Sequence, residues 1–121
     1  MASIGTSFYV SDNTGAKKLV CLKNLSRKTT KVNLGDLIVG VIKVASPKGV
    51  VKKSDIIYAV VIRTKSSFRY SDGTRVRFQD NAVVLVDKNY NPLGTRIFGV
   101  VSKLIKMKQN SKLSSLATEL V

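Results

Sequence analysis

Short runs rich in Val, Ile and Leu, each closed by Gly, Asp or Asn, follow one another from Phe8 to Phe98. Runs of this kind, bounded by turn formers and partly alternating, read as strands. Phe8-Tyr9-Val10 is the first, ended by Asp12-Asn13-Thr14-Gly15, a dense turn signal. A longer strand is expected from Ala16 to Leu25, with Leu19, Val20, Cys21 and Leu22 available to a core. Ser26 to Leu34 is polar and basic, and is expected to project as a loop or ribbon that anchors nothing in the core. Gly35-Asp36 turns the chain into Leu37 to Val44, rich in β-formers, and Pro47-Lys48-Gly49 breaks that strand. Asp55 to Lys65 reads as the longest β run. Ala82 to Asp87 is the next, ended by Asn89-Tyr90-Asn91-Pro92.

The stretch from Ala59 to Val86 organises the rest. Two apolar, β-branched runs, Ala59–Ile62 and Ala82–Val86, flank an alternating segment of Arg75, Val76, Arg77 and Phe78. Successive strand side chains point to opposite faces, so Val76 and Phe78 share one side and the two arginines the other. Beyond Gly99 the period changes: Val101, Leu104, Ile105 and Lys108, then Leu113, Leu116 and Leu120, recur at helical spacing. Two short helices are predicted there, with Ser114 or Ser115 as cap of the second. Close-spaced strands followed by helices predict one mainly β domain over residues 1–121, a small barrel with a helical tail from about residue 99.

Composition narrows the partners. The 121 residues are 44% hydrophobic, ordinary for a folded domain, but carry 21 basic against 7 acidic residues, a net charge of +14. Such a domain repels itself unless a polyanion neutralises it; nucleic acid is the first candidate and an anionic membrane surface the second. A membrane role needs a basic amphipathic helix with large apolar anchors, and the predicted helix around Val101–Ile105 is too short. No apolar run is long enough to cross a bilayer. The amino terminus carries no leader pattern, so the chain is expected to act where it is made or after a leader has gone. Cys21 is alone, which excludes an internal disulfide and favours a buried structural thiol.

Catalytic groups are scarce. With no histidine the commonest general base and zinc ligand is missing. Of the seven acids, Asp12, Asp36, Asp72 and Asp80 adjoin Gly or Asn and read as turn residues. The glycines form no phosphate loop and the lone cysteine has no activating partner. No enzyme, metal or cofactor is expected.

Basic residues recur instead in nearly every segment: Lys17, Lys18, Lys23, Arg27, Lys28, Lys31, Lys48, Lys52, Lys53, Arg63, Lys65, Arg69, Arg75 and Arg77 are the candidate RNA contacts. Arg75 and Arg77, flanked by Phe68, Tyr70 and Phe78, suit an RNA backbone through the arginine fork. Phe78 itself is expected in the core. Lys88 and Lys108 read as solvated surface.

Ala59-Val-Val-Ile, then Asp72-Gly73, Phe78, Asn81 and Val84-Leu85 at their spacing resemble the signature of the universal L-fourteen family of large-subunit ribosomal proteins, in its bacterial and organellar form. Val10-Ser-Asp-Asn-Thr-Gly-Ala16, Gly35-Asp36, Lys52-Lys53-Ser-Asp55 and Gly94-Thr-Arg-Ile-Phe-Gly99 resemble further blocks of that family, in order. The resemblance implies a closed five-stranded β-barrel with a projecting β-ribbon and two short C-terminal helices. It implies a non-enzymatic protein that binds large-subunit rRNA beside neighbouring ribosomal proteins and bridges to small-subunit rRNA. Thr95, Arg96 and Lys112 match the family's subunit-interface face, which also accepts a ribosome-silencing factor. Tyr58-Ala-Val-Val and the stretch Asp80 to Lys88 look most like mitochondrial members, and 15 lysines against 6 arginines fit an A/T-rich organellar gene. A mitochondrial ribosome is therefore favoured, with plastid and bacterial cytoplasm as alternatives. The competing reading is a free barrel that binds single strands, which needs exposed aromatics for stacking. Phe8, Tyr9, Phe68, Tyr70 and Tyr90 are its candidates.

Overall fold

Alternation decides which side chains enter the barrel. The computed structural model describes residues 2–25, 31–65, 68–69, 73, 75–89, 91–94, 97–98, 100–101 and 119–120. Among them the strands are β1 (Ala2–Ser3), β2 (Ser7–Val10), β3 (Ala16–Asn24), β4 (Lys31–Val32), β5 (Leu37–Ala45) and β6 (Ile56–Arg63). They continue as β7 (Phe68–Arg69), β8 (Arg75–Val76), β9 (Ala82–Val86), β10 (Val100–Val101) and β11 (Glu119–Leu120). Strands β2-β3-β5-β6-β9 close into a barrel; β1 pairs with β4, β7 with β8 and β10 with β11. The five-stranded barrel expected from the sequence is thus present, and β7–β8 forms the hairpin between β6 and β9.

Phe8, Leu19, Cys21, Ile38, Ile42, Ala59, Val61, Val83 and Leu85 form the interior, all essentially sealed from solvent. Alternate positions make a second, outer cluster: Leu37, Val60, Ile62, Ala82, Val84 and Val86, with Ile97. Every residue of β9 is therefore buried, which is why its sequence is apolar throughout instead of alternating. Cys21 is buried, and burial pushes its thiol pKa up, so the group stays protonated and inert. Gly40 sits opposite Cys21 where β5 crosses β3. A Cβ there would overlap the Leu19 side chain and stand 2.7 Å from the Val20 carbonyl oxygen.

Closure rests on a short seam. β2 and β9 run parallel, with Tyr9 beside Ala82 and Val10 beside Val83. Past that pair, Asp12 takes over: its Oδ2 accepts from Leu85 N at 3.0 Å, while Oδ1 accepts from Thr14 Oγ1 at 2.6 Å and Thr14 N at 3.3 Å. Asp12 and Thr14 are both buried. Burial raises the Asp12 pKa above its usual 3.8, opposed by the hydrogen bonds from Thr14 and Leu85. At the other end Asp36, 1% exposed, accepts from Asn24 Nδ2 at 3.0 Å and Asn33 N at 2.9 Å.

Several sequence expectations are corrected. The segment from Ser26 to Leu34 does anchor the core: Val32 and Leu34 are buried, because β4 pairs with β1 and turns Val32 inward. Leu22 is exposed, displaced by a register shift between Cys21 and Lys23. The run entering β6 is not the longest, since β6 has 8 residues and β3 and β5 have 9 each. Asp12 and Asp36 are buried ties and more than turn residues; Asp72 lies outside the described residues. Val101 and Leu120, enlisted above for helices, lie in the parallel pair β10–β11. The remaining positions of both predicted helices lie outside the described residues.

Gly40→Ala is expected to lower the unfolding free energy by about 1–3 kcal/mol through overpacking, read as a lower urea midpoint at constant m. Asp12→Asn turns an amide NH2 toward a backbone N–H and is expected to cost about 1–3 kcal/mol at neutral pH. Because the folded Asp12 pKa is raised, the native state holds the proton more tightly, and this group's contribution falls as pH rises from 3.8 through the folded pKa. The stability advantage of the wild type over Asp12→Asn should therefore shrink with rising pH across that window, measured by denaturation at each pH.

Candidate nucleic-acid interface

Strand polarity sorts the cations into two groups. β2, β5 and β9 run one way around the barrel and β3 and β6 the other. One end therefore carries the start of β3 and the connection between β5 and β6. Lys17, Lys18, Lys48, Lys52 and Lys53 lie there, all exposed. The loop that presents the last three is fixed by backbone bonds: Ser46 N to Gly15 O and Val50 N to Thr14 O, both 2.7 Å. Gly15 has φ +97°, and a Cβ on it would meet Gly49 Cα at 2.5 Å, so two glycines let the loops touch. Asp55 Oδ2 accepts from Lys52 N at 3.0 Å and closes the turn under Lys52-Lys53. Lys18 Nζ sits 5.7 Å from the Tyr9 ring centre, a cation–π contact.

The opposite end carries the connections from β3 to β5 and from β6 to β9. Lys23, Lys31, Lys65, Arg75 and Arg77 lie there, again exposed. Lys65 N donates to Asn81 Oδ1 at 2.9 Å, Arg77 Nε to Lys65 O at 3.1 Å, and Phe78 N to Thr64 O at 3.2 Å. These bonds tie the strand leaving the β7–β8 hairpin to the end of β6. Lys65, Arg77, Phe78 and Gln79 line an open depression of about 410 Å³. Phe78 is half-buried, so the expectation that it belongs to the core is corrected.

Arg63 stands apart from these cations. Its side chain is 14% exposed, its Nη2 donates to Ser11 Oγ, and its Nε lies 3.1 Å from Asp80 Oδ1 without the alignment of a hydrogen bond. Asp80 is thus an ion-pair partner as well as a turn residue. Arg27, Lys28, Thr95, Arg96 and Lys112, together with the side chain of Arg69, lie outside the described residues.

Sequence reasoning passed over exposed Lys43 on β5, although its place after buried Ile42 puts it outward by simple alternation. Among the stacking candidates Phe8 is buried at 1% and Tyr9 is exposed, whereas Tyr58 and Phe98, not singled out above, are exposed. The Phe68 side chain, Tyr70 and Tyr90 lie outside the described residues. Tyr9 on β2 and Tyr58 on β6 are not on neighbouring strands, so they make no shared stacking face.

The family model described as ribosomal protein L14p/L23e matches residues 1–121. A relative from Eimeria tenella, large ribosomal subunit protein uL14c, is 45% identical over 121 residues, covering 100% of both chains. The resemblance read from the motifs is thereby confirmed over the whole chain. The chain belongs to the ribosomal protein L14p/L23e family, non-enzymatic structural constituents of the large ribosomal subunit whose partners are ribosomal RNA and other ribosomal proteins.

Proposed function

We propose that the protein holds folded large-subunit rRNA between its two cationic ends and contributes to a bridge with small-subunit rRNA. The observation that carries this reading is the pair of exposed basic groups on loops fixed by backbone hydrogen bonds. Lysines on a rigid loop meet phosphates with little further ordering, and each neutralised phosphate releases counterions. Lys17, Lys18, Lys48, Lys52 and Lys53 form one contact set. Lys23, Lys31, Lys65, Arg75 and Arg77 form the other, with Arg27, Lys28 and Arg69 assigned to it by their place in the chain. Arg63 is held inward by Ser11 and Asp80, so its role in this reading is to fix the end of β6. Thr95, Arg96 and Lys112 are assigned to the subunit-interface face, and to a ribosome-silencing factor, by motif resemblance alone.

The ribosome in question is an organellar one. The uL14c name of the Eimeria tenella relative denotes a plastid form, and gives the mitochondrial preference drawn from the motifs no support over a plastid. A free single-strand-binding barrel is the less favoured reading, because among the described residues the exposed Tyr9 and Tyr58 stand on non-adjacent strands.

Binding of the full chain to its large-subunit rRNA should fall steeply with salt, with a log–log slope corresponding to about 6–10 phosphates. Lys52→Ala with Lys53→Ala should reduce that slope by about 2 in filter-binding titrations; a flat salt response would refute the interface. Thr95→Ala with Arg96→Ala should leave the protein in large subunits on sucrose gradients yet lower the fraction of joined ribosomes. Loss from the large subunit with normal joining would contradict the bridge.

A further inference from the structure

The depression lined by Lys65, Arg77, Phe78 and Gln79 has a composition that phosphate binding alone does not explain. A surface that only neutralises a backbone needs cations. This one adds an aromatic ring and a side-chain amide beside them. The contrast between the two phenylalanines is informative. Phe8 is 1% exposed and fills the barrel, whereas Phe78 stays half-buried and contributes wall to an open hollow. The Phe78 ring thus keeps part of its apolar surface open to whatever enters the hollow.

From this we infer that the depression takes a single unpaired nucleotide extruded from folded RNA, its base against Phe78 and its phosphate between Lys65 and Arg77. The inference rests on the RNA-binding reading above. A base stacks on an aromatic ring whatever its identity, and the Gln79 amide offers both a donor and an acceptor to a base edge. Lys65 and Arg77 supply the charge-assisted partners for phosphate oxygens. The hollow is of the size that small ligands occupy, about 410 Å³. The backbone under Lys65 and Phe78 and the Arg77 side chain are tied down: Arg77 Nε is bonded to Lys65 O, Lys65 N to Asn81 Oδ1 and Phe78 N to Thr64 O. Bases inside an A-form helix keep their faces stacked on one another, so only a bulged or looped-out residue can present a ring face here.

The test uses the full chain and two RNA hairpins of one sequence, the first fully paired and the second carrying one bulged 2-aminopurine. The bulged hairpin is expected to bind about tenfold more tightly, with a change in its 2-aminopurine fluorescence as the base moves from the helix to the hollow. Phe78→Leu, which keeps an apolar side chain, should bring the two affinities together and abolish the fluorescence change; Gln79→Ala should keep the change and weaken the preference. Equal affinity of the wild type for both hairpins, or a fluorescence change that survives Phe78→Leu, overturns the nucleotide site and leaves the RNA-binding reading standing. Binding of neither hairpin at low salt overturns both. Bulge-selective binding without any fluorescence change overturns the stacking role of Phe78.

Discussion

The barrel depends on a seam that its own backbone does not complete. β2 meets β9 over a parallel pairing of Tyr9 with Ala82 and Val10 with Val83. Beyond it the chain must turn toward β3, yet β9 continues to Val86 and Leu85 N still faces the gap. The Asp12 carboxylate fills the vacant acceptor position by taking Leu85 N on one oxygen and Thr14 on the other. A backbone carbonyl could not leave the strand path to do this, and a neutral amide would present a donor to one of the donors. The carboxylate tolerates burial because three hydrogen bonds replace water, though the raised pKa shows that the replacement is incomplete.

The same corner draws in the chain beyond β9. Asp12 bridges to Ile97, Phe98 N donates to Ser11 O at 2.6 Å, and a Cβ on Gly94 would meet Asn13 Oδ1 at 2.7 Å. Ile97 is thereby held against Val60, Ile62, Val84 and Val86, sealing the outer face of β6 and β9. The same turn thus serves both the closing of the barrel and the cover on its outside. The β2–β3 turn is a hub joining the seam to Ile97 and Phe98, and a substitution there acts on both.

Much of this could be read from the sequence. The β-branched runs placed every barrel strand to within a residue or two, because in a small barrel the apolar run and the strand are nearly the same object. The buried ties could not be read that way. Asp12 and Asp36 beside Gly or Asn look like any turn aspartate, and only three-dimensional closure reveals that their oxygens face Leu85 N and Asn24. Val32 was hidden for a related reason: a two-residue strand paired with Ala2–Ser3 is too short to show a period. Charge alone placed Arg63 with the RNA contacts, whereas its neighbours Ser11 and Asp80 come from distant parts of the chain. The exposed lysines were simpler. Alternation and turn position both put them outside, and the structure adds only how they divide between the two ends.

That division follows from the core. A barrel whose interior and outer β6–β9 face are both apolar leaves cations few places except loops, strand ends and the outer faces of β3 and β5. Gathering like charges on those sites raises their mutual repulsion, and with a net charge of +14 the effect works against the folded state. The loops cannot relax by spreading, since Ser46, Val50 and Lys52 are fixed by hydrogen bonds to Gly15, Thr14 and Asp55. A polyanion bound to the native arrangement therefore relieves a strain that the fold itself creates, and by linkage stabilises the folded chain in proportion to how well it matches that arrangement. In the RNA-binding reading proposed above, rigid loops turn a general affinity for phosphate into a preference for RNA folded to the right shape.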